Sequence, residues 1–280
     1  MSSIRTVALS DGTRVPALGL GTWRMGERAG ARDAEVAALR HGFDLGLTLV
    51  DTAEMYGDGA SEEVVGEALR GRRDAIFVVS KVYPHRAGRR SAIAACEKSL
   101  ARLRIECLDL YLLHWRGEIP LVETVEAFER LKRDGKIARW GVSNFDVDDL
   151  DELAAIDEGA GCAANQVLFH LAERGIERGA LPRCRDWPMP VMAYSPFDEG
   201  RLLKNARLVE IARSAGTEPA TLALAWLLTH DDVIAIPKSA RLEHVDAIRA
   251  AAAFTLTPDV AAALERAFPP PRRKTPLAMI

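Results

Sequence analysis

Residues able to do chemistry recur at one kind of place in this sequence, directly after short apolar runs. The run 17–21 is followed by Thr22 and Trp23, and the run 47–51 ends at Asp51 with Tyr56 close behind. Lys81 follows 75–80, and His114 ends 107–114. Ser143 closes 138–143 and Asn144 follows it, Gln166 lies in 163–167, Tyr194 and Ser195 end 191–195, and Lys238 and Ser239 follow 233–237. A carboxylate, a phenol, an ammonium, an imidazole and several amides exchange protons or hold polar ligands, and burying each costs free energy unless it is paired. Singly, each has an ordinary explanation: Asp caps a turn, Tyr packs, Lys is solvated, His sits satisfied in a core. A series of them at successive run ends reads as one polar site.

The elements that position them follow from the spacing. The eight runs are short and rich in Val, Ile and Leu, the pattern of buried parallel strands. Between them lie stretches with helical periodicity: 33–46, 61–70, 90–104, 121–133, 146–156, 179–186, 218–229 and 241–252. Ser61 is a candidate N-cap, Pro219 suits a first turn, and Asp134-Gly135 signals a turn. Eight strand–helix units in alternation predict an α/β fold, a (β/α)8 TIM barrel, whose strand C-termini share the active face. Residues 6–16 read as a hairpin with an Asp-Gly turn that plugs the barrel bottom. A further helix over 257–267 and a tail follow the last unit. Residues 1–280 read as a single domain.

Composition limits the rest. Of 280 residues, 48% are hydrophobic and 28% charged, and the net charge is −3. This is ordinary for a globular enzyme and offers no global attraction to nucleic acid or an anionic membrane. No apolar run approaches the roughly 20 residues that span a bilayer, and the N-terminus lacks a secretory signal, so the expected compartment is the cytoplasm. The four cysteines match no zinc or redox spacing and the six histidines no metal-ligand spacing, so no metal is expected.

The segments DTAEMY, VVSKVY, YLLHW, RWGVSNF, ANQV, AYSPF and IPKS occur in this order along most of the chain. In this the sequence resembles the aldo-keto reductase family, and within it the branch that includes bacterial methylglyoxal reductases. The resemblance implies NADPH-dependent reduction of small aldehydes, 2-oxoaldehydes or ketones by a monomer, with Asp51, Tyr56, Lys81 and His114 as a catalytic tetrad. The residue types suit that chemistry. Hydride addition to a carbonyl leaves an alkoxide that needs a proton. A phenol, ordinarily near pKa ~10, becomes a better acid near neutral pH beside an ammonium. Asp51 would hold Lys81 charged, and His114 would orient the carbonyl oxygen.

No Rossmann fingerprint accompanies these motifs; residues 19–26 carry Gly-x-Gly without the third glycine. By resemblance, the cofactor lies extended over the barrel mouth. Tyr194 stacks on the nicotinamide, Ser143, Asn144 and Gln166 bind its carboxamide, and Thr22 and Trp23 line that end. Ser195 and Phe197 follow the pyrophosphate. Lys238, Ser239 and Arg241, with His244 where many relatives have arginine, surround the 2′-phosphate. Two cations and a hydroxyl favour NADP(H), with NAD(H) possible. Ala247 and Ile248 replace an adenine-contacting Glu-Asn pair, which implies a shallower preference. Trp23, Met55, Tyr83, His114 and Trp115 are expected to wall the substrate pocket. Short connections after the fourth and seventh strands, with a short solvated tail, would leave that pocket open. The rival readings are a Schiff-base aldolase using Lys81 and an NADPH-binding regulatory subunit with little turnover.

Overall fold

A computed structural model describes residues 4–280. The chain opens with an antiparallel hairpin of β1 (Thr6–Ala8) and β2 (Arg14–Pro16). Its tight turn is made by Gly12 in the left-handed region at φ 84° and by Asp11, whose Oδ1 accepts the Thr13 N–H. Eight parallel strands follow: β3 (Leu20–Gly21), β4 (Leu49–Asp51), β5 (Phe77–Val82), β6 (Leu110–Leu113), β7 (Trp140–Ser143), β8 (Cys162–Leu168), β9 (Val191–Tyr194) and β10 (Val233–Ala235). Each pairs with its neighbour in chain order. Parallel bridges Leu18–Ala235 and Gly21–Lys238 join last to first, closing the barrel. Gly19 lies at that seam, where a Cβ would stand 2.5 Å from Leu49 Cδ2, so only glycine fits.

The outer helices are α1 (Arg32–Asp44), α2 (Ala60–Ala68), α3 (Ser91–Leu103), α4 (Leu121–Arg133), α5 (Val147–Ala154), α6 (Ala180–Asp186), α7 (Ala206–Ser214), α8 (Pro219–Leu227), α9 (Leu242–Ala251) and α10 (Pro258–Ala267). Pro219 opens α8 and Gly135 ends the turn after α4, as their chemistry requires. Two apolar regions result. One lies between the outward strand faces and the helices. The other fills the barrel, where Val7, Leu9 and Val15 of the hairpin segment meet Leu49, Val79, Leu110, Met192 and Ile234, so the hairpin does plug the lower end.

Period-2 alternation within the strands then determines what the upper end contains. Successive inward positions run from Leu49 to Asp51, Val79 to Lys81, Leu112 to His114, Ala164 to Gln166, Met192 to Tyr194 and Ile236 to Lys238. The apolar member of each pair packs inside the barrel and the polar member faces the mouth.

Three expectations are corrected. The connection after β9 is not short: two single helical turns and α7, N-capped by the Asn205 side chain, precede α8. Ser61 does not cap α2. It sits inside the helix, fully buried, and its Oγ donates to Thr22 Oγ1 at 2.7 Å and lies 3.0 Å from Thr52 Oγ1. Residues 272–276 are exposed, as a solvated tail should be, but the tail does not leave the pocket open: it runs back to the barrel mouth, where Met279 and Ile280 reach the site. Lys274 pairs with Asp146 at 3.2 Å, the Arg178 side chain donates to Pro271 O, and Leu277 packs on the core.

Candidate active site

At the barrel mouth, β4 and β5 run parallel with Asp51 level with Val79, which brings Lys81 beside the chain that leaves β4. That chain turns at once through Tyr56–Gly59, with Gly57 and Asp58 in left-handed conformations, and this turn swings the phenol back over the strand ends. Lys81 is fully buried. Its Nζ donates to Asp51 Oδ1 at 2.6 Å, to Thr52 O at 2.9 Å and to Tyr56 Oη at 3.1 Å. Three donors meet three acceptors, so the ammonium is fully satisfied. Gln166 Nε2 holds the other carboxylate oxygen, Asp51 Oδ2, at 2.8 Å.

Burial pushes the Tyr56 phenol above its ordinary value of 10.0; Lys81 pulls it down, and Asp51 behind the lysine pushes it up again. This corrects the expectation that the ammonium brings the phenol towards neutrality. The phenol stays protonated. Burial opposes the charge on Lys81, but Asp51 and Tyr56 outweigh it and hold the amine above 10.5, as an ammonium.

His114 follows β6, and its ring meets Tyr56 edge-on at 5.7 Å. Burial, then Lys81, push its imidazole well below 6.5, so it is neutral at pH 7. Its Nδ1 is buried without a hydrogen-bond partner. An imidazole N–H left unpaired there costs more than a bare lone pair, so the favoured tautomer carries its proton on Nε2, the nitrogen left to serve the cavity.

Asn144 and Ser195 leave their strands with φ of 59° and 46°, a conformation disfavoured for residues with a side chain and common at functional sites. Asn144 is cross-braced: Nδ2 donates to His114 O at 3.1 Å, and Oδ1 accepts from Tyr194 Oη at 2.9 Å. Ser143 Oγ donates to Gln166 O at 2.9 Å. Burial drives the Tyr194 phenol up to about 12, so it remains a neutral donor.

A cavity of about 450 Å³ opens above these groups. Asp51, Tyr56, His114, Ser143, Asn144, Gln166 and Tyr194 line it, with Thr22, Trp23, Met55 and Trp115. Tyr83 does not line it; it packs edge-on against Trp115 at 5.9 Å and against His85. Sequence reasoning missed Met279 and Ile280, which form part of the wall, so the tail helps to close the pocket. No periodicity marks a tail that returns to the mouth.

A second cavity of about 690 Å³ adjoins the first, and Trp23, Ser195 and Lys238 line both. It runs along Phe197 to the start of α9, where Ser239, His244, Ala247 and Ile248 line it. Arg241 is not part of this lining. The two cavities make one trough that an extended ligand fits. Burial lowers the Lys238 ammonium from 10.5, and the side chain makes no ion pair among the described residues. No cluster of His, Cys, Asp or Glu able to hold a metal occurs among the described residues.

A closed (β/α)8 barrel with Tyr, Lys, Asp and His converging at its strand ends, beside a trough for an extended ligand, defines a class of carbonyl-reducing enzymes. Residues 17–268 match the model of the aldo/keto reductase family, and the chain belongs to that family. It is 52% identical to methylglyoxal reductase YeaE of Escherichia coli over 99% of each chain. It is 37% identical to glyoxal reductase of Bacillus subtilis over 85% of this chain and 83% of that one. An aldo/keto reductase from Klebsiella pneumoniae, crystallised with NADP and acetate, superposes with a TM-score of 0.96 at 52% identity, covering 99% of this chain and 100% of the other.

Proposed function

We propose that this protein uses NADPH to reduce small aldehydes and 2-oxoaldehydes such as methylglyoxal, with Tyr56 as proton donor. The observation that carries the reading is the placement of Lys81 Nζ between Asp51 Oδ1 and Tyr56 Oη, 2.6 and 3.1 Å away, beneath a cavity with room for a nicotinamide and a small aldehyde together. The relatives named for methylglyoxal and glyoxal reduction, and the structural neighbour holding NADP, support the same reading.

The residues fit a nicotinamide dinucleotide. The Tyr194 ring lies along one wall of the deep cavity for stacking, and Gln166, with its Nε2 committed to Asp51, offers Oε1 to a carboxamide. Ser143 and Asn144 stand beside it, and Lys238, Ser239 and His244 suit a 2′-phosphate at the far end. When bound, the cofactor supplies the hydride. His114 donates from Nε2 to the carbonyl oxygen and, being neutral, does so without adding a charge beside Lys81. Tyr56 then gives its proton to the developing alkoxide, and Lys81 stabilises the phenolate that forms. Such a positioned acid contributes roughly 10²–10⁴ in rate. Met55, Trp23 and Trp115 give the carbonyl substrate an apolar wall. A Schiff-base role for Lys81 is disfavoured, because its amine is charged and all three hydrogens are engaged.

We extend the reading to a cytoplasmic monomer that acts on small molecules; among the described residues, no helix is long and apolar enough to cross a membrane. The test is a panel of aldehydes and ketones assayed at 340 nm with NADPH and with NADH. The reading expects turnover of methylglyoxal, faster with NADPH. Tight NADPH binding with no oxidation across the panel would favour a regulatory subunit instead.

A further inference from the structure

The start of α9 carries a charge arrangement that the proposed mechanism does not use. Glu243 lines the wider cavity alongside Lys238, Ser239 and His244. Arg241 is turned onto Glu243: its Nε donates to Oε1 at 2.7 Å, and its Nη2 contacts the same oxygen. Ser239 Oγ is occupied locally, accepting the Arg241 N–H at 3.1 Å and donating to Arg241 O at 3.2 Å. Glu243 is the second residue of α9, and no side chain caps that helix. The first turn of a helix has free N–H groups and a partial positive charge that favour an anion. Its own backbone N–H, then Arg241, hold the Glu243 carboxyl below 4.5, so it is an anion at neutral pH. The carboxylate thus already engages two partners that a phosphate would seek here, a guanidinium and the positive end of a helix. Glu199 and Glu218 also line this cavity. Glu199 faces Arg201 at 3.8 Å, and neither is paired with Lys238 or Arg241.

We propose that Glu243 is a specificity-determining residue that acts as an internal competitor for the 2′-phosphate of the cofactor. This rests on the reading of the trough as an NADP(H) site. A ligand carrying a 2′-phosphate must displace Glu243 from Arg241 and the start of α9, whereas a ligand with a 2′-hydroxyl leaves the pair intact. Glu243 therefore weakens NADPH binding, leaves NADH binding nearly unchanged, and narrows the difference between them. The effect is independent of Ala247 and Ile248, which line the same cavity further along α9.

The test is the Kd of NADPH, of NADH and of 2′,5′-ADP for the wild type, E243Q and E243A. Tryptophan quenching reports the dinucleotides, and competition reports 2′,5′-ADP. Both variants should bind NADPH and 2′,5′-ADP about fivefold more tightly and NADH within about twofold of wild type, the scale of one exposed charge interaction. A merely structural effect of the substitutions would move both cofactors together. Unchanged or weaker NADPH binding in both variants, with NADH still bound, overturns the proposal alone. A wild type that binds neither dinucleotide overturns the reading of the trough and this proposal with it. If E243A does not fold, the near-isosteric E243Q decides.

Discussion

At the scale of single residues, the site separates charge from proton. Lys81 and Asp51 form a closed, buried ion pair, and Tyr56 leans on its ammonium as a neutral phenol. The protonated phenol is the competent acid for reduction, and it persists up to a pKa above 10.0. kcat/KM for aldehyde reduction should therefore be flat through neutral pH and fall only in the alkaline range, whereas alcohol oxidation, which needs the phenolate, should rise with pH. A reduction profile that already halves between about pH 7 and pH 8 would contradict this. Lys81→Met removes the cation that stabilises the phenolate and leaves Asp51 buried without its main partner. It should lower kcat by at least about 100-fold and also reduce stability by roughly 3 kcal/mol. Stopped-flow kinetics and urea unfolding read the two effects separately. Which residues meet was largely legible in the sequence, because Asp51, Lys81, His114 and Gln166 hold the last inward positions of their strands. The direction of the Tyr56 shift was not. It depends on burial and on Asp51 behind the lysine, and neither follows from Lys and Tyr being neighbours.

At the scale of elements, the barrel is held by buried polar links between helices and strands as well as by apolar packing. Glu62 of α2 is fully buried, accepts from Ser80 Oγ of β5 at 2.5 Å and pairs with Arg102 of α3 at 2.6 Å. Arg102→Met strands that carboxylate and should cost about 3 kcal/mol. Urea denaturation checks this, and a change below about 1 kcal/mol would show that the pair does not brace the strand that carries Lys81. The eight strands were legible because each is a short apolar run buried on both faces. Their ends were less so: the fourth run was expected over 107–114, while β6 spans Leu110–Leu113, with Leu108 making only an isolated bridge to Ile137. Helix α7 was missed although Leu208, Ile211 and Ala212 recur at helical spacing, because a repeat of one strand and one helix leaves no place for a second helix after β9. Ser61 was misread because a hydroxyl near a helix start looks the same in sequence whether it caps the helix or points into a buried Thr22–Thr52 cluster.

At the scale of the molecule, the tail and the buried histidines matter most. Met279 and Ile280 come from the far end of the chain to the wall of the pocket. A Met279→Ala, Ile280→Ala double variant should widen the pocket, raise KM for methylglyoxal and improve relative kcat/KM for bulky aldehydes. An unchanged selectivity ratio across the two substrate sizes would argue that these side chains do not bound the substrate. His114, His170 and His230 all have pKa values pushed below 6.5 by burial. The unfolded chain therefore binds more protons than the native one just below pH 6.5. The stability contributed by their neutral burial is complete above that pH and is lost as pH falls through and below it. Denaturation midpoints should hold from about pH 8 to pH 7 and decline towards pH 5.

The most direct test is Tyr56→Phe, which removes one oxygen and leaves the trough intact. NADPH affinity, from tryptophan quenching, should stay within about twofold, while methylglyoxal-dependent loss of absorbance at 340 nm should slow by at least about 100-fold. A variant that binds NADPH and reduces methylglyoxal at close to the wild-type rate would mean that the proton comes from elsewhere.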